Sequence, residues 1–166
     1  MIQKKICMVG TFAVGKTSLV RQFVESVYSE KYHTTVGVKV DKKIMTVGEN
    51  EVTLVLWDIE GATGSLELRQ SYLRGAAGYL LVADGTRPDT ITAAVQLQAR
   101  SEATIGKKPF LLLLNKVDLE QHWRVDEAEL ARLKAANWLM TTTSAKTGRG
   151  VQKAFETLAQ RMMTGD

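Results

Sequence analysis

The chain has 166 residues and a mass of 18.4 kDa, so we expect residues 1–166 to form a single domain, since compact domains hold about 100–150 residues and rarely divide below about 250. With 45% hydrophobic residues, 24% charged residues and only two prolines, the composition excludes intrinsic disorder and collagen-like structure. The formal charge of +4 comes from scattered basic pairs such as Lys4 and Lys5 rather than from runs, so we expect no nucleic-acid partner.

The only cysteine, Cys7, cannot form an internal disulfide, and its apolar neighbours indicate a buried strand. No apolar run reaches the roughly 18–20 residues that a membrane span requires, and the first residues do not resemble a secretory leader. These features predict a cytoplasmic protein.

Short apolar runs followed by polar or glycine-containing turns predict buried strands. In chain order, the predicted strands cover residues 6–9, 38–47, 52–57, 79–83, 110–114 and 138–142. Only a short Gly-Glu-Asn turn separates the second strand from the third, which predicts an antiparallel hairpin because a parallel connection needs a longer crossover.

Between these strands, apolar residues recur at helical spacing. Leu19, Val20, Phe23 and Val24 form one stripe, and Asp126 with Glu129 resembles an N-cap pair that opens a helix reaching residue 136. The clearest stripe comes last and consists of Val151, Ala154, Phe155, Leu158, Ala159 and Met162.

Strands and helices alternate nearly to the end of the chain. This alternation predicts an α/β fold with a six-stranded, mostly parallel sheet, one antiparallel strand and helices on both faces.

The residues from Gly10 to Thr17 match the pattern G-x-x-x-x-G-K-[ST] and connect the first strand to the first helical stripe, which is the context that supports a phosphate-binding loop. In such a loop, backbone N–H groups surround a polyphosphate, and the helix N-terminus adds its dipole. Lys16 would place a positive charge on the β- and γ-phosphates, and Thr17 would offer a hydroxyl to Mg²⁺. The alternative is an ordinary tight turn. The residues expected to line the phosphates are Gly10, Phe12, Ala13, Val14, Gly15, Lys16, Thr17 and Ser18.

A second motif, Asn115-Lys116-Val117-Asp118, follows an apolar strand at the end where open α/β sheets bind ligands. The Asp118 carboxylate can accept hydrogen bonds from N1–H and the 2-amino group of guanine, whereas adenine has neither donor there. After the last strand, the segment Ser144-Ala145-Lys146 can offer a backbone N–H to guanine O6 and an alkyl stem to the face of the base. The two segments predict a guanine site.

With these motifs in this order, the chain resembles Ras-superfamily small GTPases, and Trp57-Asp58 makes it most similar to the Rab-like branch. The resemblance also rests on Tyr32-His33-Thr34-Thr35-Val36-Gly37 and on Asp58-Ile59-Glu60-Gly61. It implies a P-loop NTPase G domain that binds GTP or GDP with Mg²⁺ and acts as a molecular switch.

The resemblance further implies residue roles. The hydroxyl of Thr35 would join Thr17 and Asp58 around Mg²⁺, the N–H groups of Thr35 and Gly61 would contact the γ-phosphate, and Lys16, Thr35 and Gly61 would form the catalytic set. Tyr28 would pack edge-on against guanine, with an ordinary surface or core tyrosine as the alternative. Effectors, exchange factors and activating proteins would bind through residues 32–37 and 58–72, and the chain would be a monomer.

Three residues depart from the family pattern. Ala62 stands where a glutamine normally orients the attacking water, and residues 28–37 contain no arginine, so intrinsic hydrolysis should be slow. Phe12 could crowd the space that an activating arginine would enter, or could simply pack on a switch. Glu60 lies where a small residue is common, and it would orient water, weaken the GTP-bound state or have no role.

Two other functions stay open. A pseudo-GTPase scaffold would hold GTP or GDP without turnover, as Ala62, Phe12 and Glu60 favour, whereas a nucleotide or metabolite kinase would leave residues 115–118 and 144–146 without a purpose. Relatives that act at membranes carry C-terminal prenylated cysteines, while Cys7 lies in the first strand. If the chain is complete, we expect no direct membrane anchor.

Overall fold

The computed structural model describes residues 1–26, 38–59 and 70–165. These segments contain six strands and four helices of eight or more residues, and a short 3₁₀ helix, Glu120–His122, follows the fifth strand. The strands are β1 (Ile2–Val9), β2 (Val38–Val47), β3 (Asn50–Ile59), β4 (Gly78–Asp84), β5 (Phe110–Asn115) and β6 (Met140–Thr142). The helices are α1 (Lys16–Glu25), α2 (Pro88–Ile105), α3 (Glu127–Ala135) and α4 (Val151–Thr164).

All six strands form one sheet in the order β2-β3-β1-β4-β5-β6. Every neighbouring pair is parallel except β2 with β3, so the predicted six-stranded sheet with one antiparallel strand is confirmed. Strand β1 lies between β3 and β4. The loop that follows β1 therefore opens at the carboxyl ends of these neighbouring strands, where open α/β sheets bind ligands.

The predicted hairpin joins β2 to β3. Val47 pairs with Asn50, which leaves a two-residue turn of Gly48 and Glu49, and Gly48 has the left-handed φ of +61° that such a turn needs. Strand β2 forms one edge of the sheet, so its residues are half-buried or exposed throughout.

The core has a layer on each face of the sheet. One layer packs α1 and α4 against the sheet and contains the rings of Phe23 and Phe155, stacked with 3.9 Å between their centroids. The other packs α2 and α3 and includes Cys7, whose burial raises the pKa of its thiol to about 12. Helices on both faces are confirmed. No helix in the described segments is long and apolar enough to cross a membrane.

The structure corrects several predicted strand boundaries. Strands β3, β4 and β5 extend one or two residues beyond their predicted ranges, and β1 and β6 begin at other residues than predicted. Strand β1 begins at Ile2 rather than at residue 6, because Lys5 can occupy a strand position while its ammonium lies 3.7 Å from the ring centroid of Trp57. Strand β6 begins at Met140 rather than at residue 138. Asn137 has a φ of +67°, and the N–H of Trp138 still donates to Leu133 at the end of α3.

Candidate functional site

The loop between β1 and α1 is shaped by backbone conformations that restrict its sequence. Ala13 and Gly15 have left-handed φ angles of +63° and +104°, and α1 begins directly afterwards. A Cβ atom on Gly15 would collide with the side-chain amide of Asn115, and one on Gly10 would lie 2.5 Å from the Val82 carbonyl. Both glycines of the predicted motif are therefore required by the close approach of neighbouring strand ends.

Lys16 lies inside this loop. Its side chain is 5% exposed, and its ammonium donates to the carbonyl oxygens of Gly10 at 2.8 Å and Thr11 at 3.0 Å. Lysine ammonium groups bind phosphates as point charges, so a lysine at this position suits an anionic ligand. Ser18 lies in the first turn of α1, whose N-terminal N–H groups favour the same kind of ligand.

Asn115 connects the phosphate loop to the second motif. It is 1% exposed, donates to the Val14 carbonyl at 2.9 Å and accepts from the Thr143 hydroxyl at 3.1 Å. The next residue, Lys116, donates to the Ala13 carbonyl at 3.0 Å. Hydrogen bonds thus join segments that are about a hundred residues apart in the chain.

The residues assigned to the base also lie together. The Ser144 hydroxyl donates to Asp118 Oδ1 at 2.8 Å and accepts from the N–H of Thr147 at 3.0 Å, while the N–H of Val117 donates to the Thr143 carbonyl. Ala145 is buried and Lys146 is exposed. The loop after β6 therefore binds one oxygen of the Asp118 carboxylate in the loop after β5 and restricts its orientation.

Thr17 and Asp58 bring two oxygen ligands together at the end of β3. The Thr17 hydroxyl donates to Asp58 Oδ2 at 2.5 Å, and Asp58 is 1% exposed. Hydroxyl and carboxylate oxygens are hard donors that suit Mg²⁺. Within the described segments, no group of three or more histidine, cysteine, aspartate or glutamate side chains could hold a metal ion.

Several residues predicted for the site lie outside the described residues. They are Tyr28, Thr35, Glu60, Gly61 and Ala62, together with the rest of residues 32–37. Of the expected regulator-binding segment 58–72, the structure describes residues 58, 59 and 70–72.

Sequence reasoning missed a buried carboxylate, Asp84, at the carboxyl end of β4. Burial works against its charge, but hydrogen bonds from Lys116 and from the hydroxyl and N–H of Thr86 hold the pKa of Asp84 below its usual value. A charged residue at the end of an otherwise apolar strand, next to the ligand-binding edge of the sheet, was the signal that could have found it.

Trp123 covers the loop that follows Asp84. Its indole lies so close to Gly85 that any Cβ there would collide with the ring. The N–H of the neighbouring Arg124 donates to the Gly85 carbonyl at 2.8 Å. The indole and this hydrogen bond both hold the loop at Gly85.

A phosphate loop joined to a fixed carboxylate at the carboxyl ends of a mostly parallel sheet defines the class of P-loop GTPases. The model of the Ras family matches residues 5–164 of the chain. The chain is 34% identical to the Ras-related protein Rab-4A of Mus musculus over 161 residues, which are 96% of this chain and 74% of that protein. It is 36% identical to the Ras-related protein RABC2a of Arabidopsis thaliana over 163 residues, covering 96% of this chain and 77% of the relative.

The chain therefore belongs to the Ras family and is similar to its Rab proteins. Membership makes it a GTP-binding molecular switch, and the resemblance inferred from the motifs is confirmed.

Proposed function

We propose that the chain is a Mg²⁺-dependent switch that binds GTP and GDP and hydrolyses GTP slowly. The observation that carries the proposal is the Asn115 side chain, which joins the phosphate loop at Val14 to the segment that positions Asp118. Phosphate and base recognition are thereby built into one unit. A phosphate loop alone would serve many nucleotides, but coupling to a fixed carboxylate acceptor favours guanine.

In this proposal, Lys16 and the N–H groups of residues 13–18 bind the phosphates. Thr17, Asp58 and Thr35 would hold Mg²⁺, which would neutralise charge on the β- and γ-phosphates. The proximity of Thr17 and Asp58 supports this assignment. Asp118 would accept from the guanine edge, Ala145 would offer its N–H to O6, and Tyr28 and Lys146 would contact the base.

The switch itself would work through the γ-phosphate. The N–H groups of Thr35 and Gly61 would bind that group in the GTP state and be released after hydrolysis, so that the two states present different surfaces. Effectors would then recognise the conformation that residues 32–37 and 58–72 adopt when GTP is bound.

Aromatic packing beside β2 supports a partner surface there. Trp57 and Tyr72 lie with 6.2 Å between ring centroids, and Val40, which is paired with Trp57 across the hairpin, is 45% exposed. An exposed apolar residue beside aromatic rings at a sheet edge is typical of a protein-binding surface. We place effector and regulator binding on Val40, Trp57 and Tyr72 together with the switch segments.

Slow hydrolysis follows from the sequence around Gly61. Ala62 has no amide that could orient a water molecule, so catalysis would rest on positioning and charge alone. Phe12, which is 45% exposed in the phosphate loop, adds bulk where a partner's arginine would approach. An activating protein would then supply both the arginine and the group that orients water.

The second candidate function is a scaffold that holds GTP or GDP without significant turnover. The same three residues, Phe12, Glu60 and Ala62, favour it. The intact Lys16, Thr17 and Asp58 favour the switch, because a scaffold could hold a nucleotide without a functioning magnesium site.

Single-turnover hydrolysis separates the two functions. With bound GTP and Mg²⁺, we expect a rate below the roughly 4 × 10⁻⁴ s⁻¹ of Ras proteins, and Ala62→Gln should raise it several-fold by restoring the water-orienting amide. Thr63→Gln, one residue further on, is the matched control and should leave the rate unchanged. Chelating the metal should slow hydrolysis further.

Turnover that is absent over many hours, in the wild type and in Ala62→Gln alike, would favour the scaffold instead. Glu60→Ala belongs in the same assay. An unchanged rate in that variant would exclude a water-orienting role for Glu60 and leave the rest of the proposal intact.

A further inference from the structure

The buried carboxylate of Asp84 accepts hydrogen bonds from donors in two loops. Its Oδ2 atom lies 2.8 Å from the Lys116 ammonium and 3.1 Å from Nε of Arg87. Its Oδ1 atom accepts from the N–H of Thr86 at 2.9 Å and from the Thr86 hydroxyl at 2.6 Å. Asp84 is thus a fixed anion that orients two cations.

Both cations also hold the phosphate loop. Nη2 of Arg87 donates to the Phe12 carbonyl at 3.0 Å, and the Lys116 ammonium donates to the Ala13 carbonyl at 3.0 Å. These two carbonyls flank the Cα atom of Ala13, whose φ of +63° is unfavourable for any residue with a side chain. The contacts with Arg87 and Lys116 therefore hold a strained residue in place.

Peptide geometry connects these contacts to the ligand. In a planar trans peptide, the carbonyl of one residue and the N–H of the next point in opposite directions. When Arg87 holds the Phe12 carbonyl, it therefore directs the Ala13 N–H away from the guanidinium. Successive N–H groups around a left-handed residue form the concave nests that bind anions.

Arg87 suits this role because its guanidinium is a rigid fork. Nε contacts Asp84 while Nη2 of the same plane contacts Phe12, so one group spans both acceptors. The backbone of Arg87 is fixed as well, since its N–H donates to the Asp84 carbonyl at 2.9 Å and its carbonyl accepts from the Thr90 hydroxyl at 2.7 Å. A lysine could not span the two acceptors in this way.

We propose that Arg87, anchored by Asp84, is a positioning residue that orients the Ala13 N–H for phosphate binding and so slows nucleotide release. The inference rests on the proposed function. It adds to the nucleotide site two residues, Asp84 and Arg87, that lie outside the sequence motifs for phosphate and guanine.

The test is the rate at which a fluorescent GDP analogue leaves the Mg²⁺-loaded protein. Arg87→Ala should raise this rate about tenfold, which is the scale of losing one charge-assisted hydrogen bond. Arg87→Gln, which keeps most of the side-chain length, should act in the same direction and provides a second variant should Arg87→Ala not fold. Arg132→Ala, at an exposed position on α3, is the matched control and should release GDP at the wild-type rate.

A phosphate-specific readout separates positioning from a general structural role. The β-phosphate resonance of bound GDP should shift in Arg87→Ala, while the preference for GDP over xanthosine diphosphate stays unchanged. If every Arg87 variant that folds releases GDP within twofold of the wild-type rate, the positioning role is wrong and the proposed function stands. A wild-type protein that takes up no GDP would instead overturn the proposed function, and this inference with it.

Discussion

Asp118→Asn should lower the affinity for GTP by about 10²–10⁴-fold, the scale of two charge-assisted hydrogen bonds lost at a desolvated site. Asparagine would present an amide N–H₂ to guanine, which offers donors at the same edge. Xanthine carries a carbonyl in place of the 2-amino group and can accept from that amide. The same variant should therefore gain affinity for xanthosine triphosphate.

The structure indicates that Asp118→Asn should change base recognition without disturbing the surrounding loops. Ser144 donates to Oδ1 of Asp118, and the side-chain oxygen of asparagine can still accept that hydrogen bond, so the loops after β5 and β6 should keep their arrangement. Asp126→Asn is the matched control. Asp126 caps α3 by accepting from the Ala128 N–H, a role that asparagine also fills. Competition titrations with both nucleotides give the answer, and GTP affinity that survives in Asp118→Asn would show that the base assignment is wrong.

Lys16→Ala should lower the affinity for GTP and GDP by about three orders of magnitude. A unit charge about 4 Å from a phosphate oxygen is worth about 4 kcal/mol at an effective dielectric constant near 20, and each 1.4 kcal/mol is tenfold in affinity. The variant also leaves the carbonyls of Gly10 and Thr11 without the ammonium that now holds them. Both effects weaken phosphate binding.

The phosphate dependence of the loss is the sharper measurement. Binding of guanosine, which has no phosphate, should change little in Lys16→Ala, whereas binding of GDP and GTP should fall steeply. Lys134→Ala, at an exposed position in the last turn of α3, controls for the change in net charge. Equal losses of affinity for guanosine and GTP would mean that Lys16 stabilises the conformation of the loop and does not bind the charged phosphates.

The features predicted best from sequence were those that depend on local pattern. The segment from Gly10 to Thr17 predicted a strand, a loop and a helix, and the structure shows why, because Gly15 adopts a left-handed φ beside the Asn115 amide. The β2–β3 hairpin followed from the short turn between two apolar runs in the same way. In both cases, neighbouring residues determine the conformation.

The predicted starts of β1 and β6 were wrong because the side chains there can occupy more than one kind of environment. Lys5 interrupted the apolar pattern of β1, yet its ammonium packs over the Trp57 ring and donates to the Arg74 carbonyl at 2.8 Å. Trp138 suggested a strand by composition, but it lies in the turn before β6 and packs edge-on against Phe110, with 5.0 Å between ring centroids. Composition alone does not show whether such a residue lies within a strand or outside it.

The contact of Arg87 with the phosphate loop depends on the order of the strands. Strand β4 neighbours β1 although β2 and β3 intervene in the chain, and only this adjacency brings Arg87 to Phe12. The hydrophobic pattern predicts where each strand lies in the chain but not which strands lie beside it in the sheet. The sequence therefore could not show that residues 75 positions apart are in contact.

Helix α2 was not assigned a range from the sequence, although Pro88 and Asp89 at its start are typical of a helix N-terminus.

Every role proposed for the site depends on the binding of guanine nucleotides by this chain. The most direct measurement is to purify the protein without added nucleotide, denature it, and identify what it releases, followed by competition of a bound fluorescent GDP analogue with GDP and ADP. We predict that GDP or GTP is released in near-stoichiometric amount and that ADP does not displace the analogue at a thousandfold excess. Release of an adenine nucleotide, or displacement by ADP at concentrations similar to those of GDP, would contradict the account.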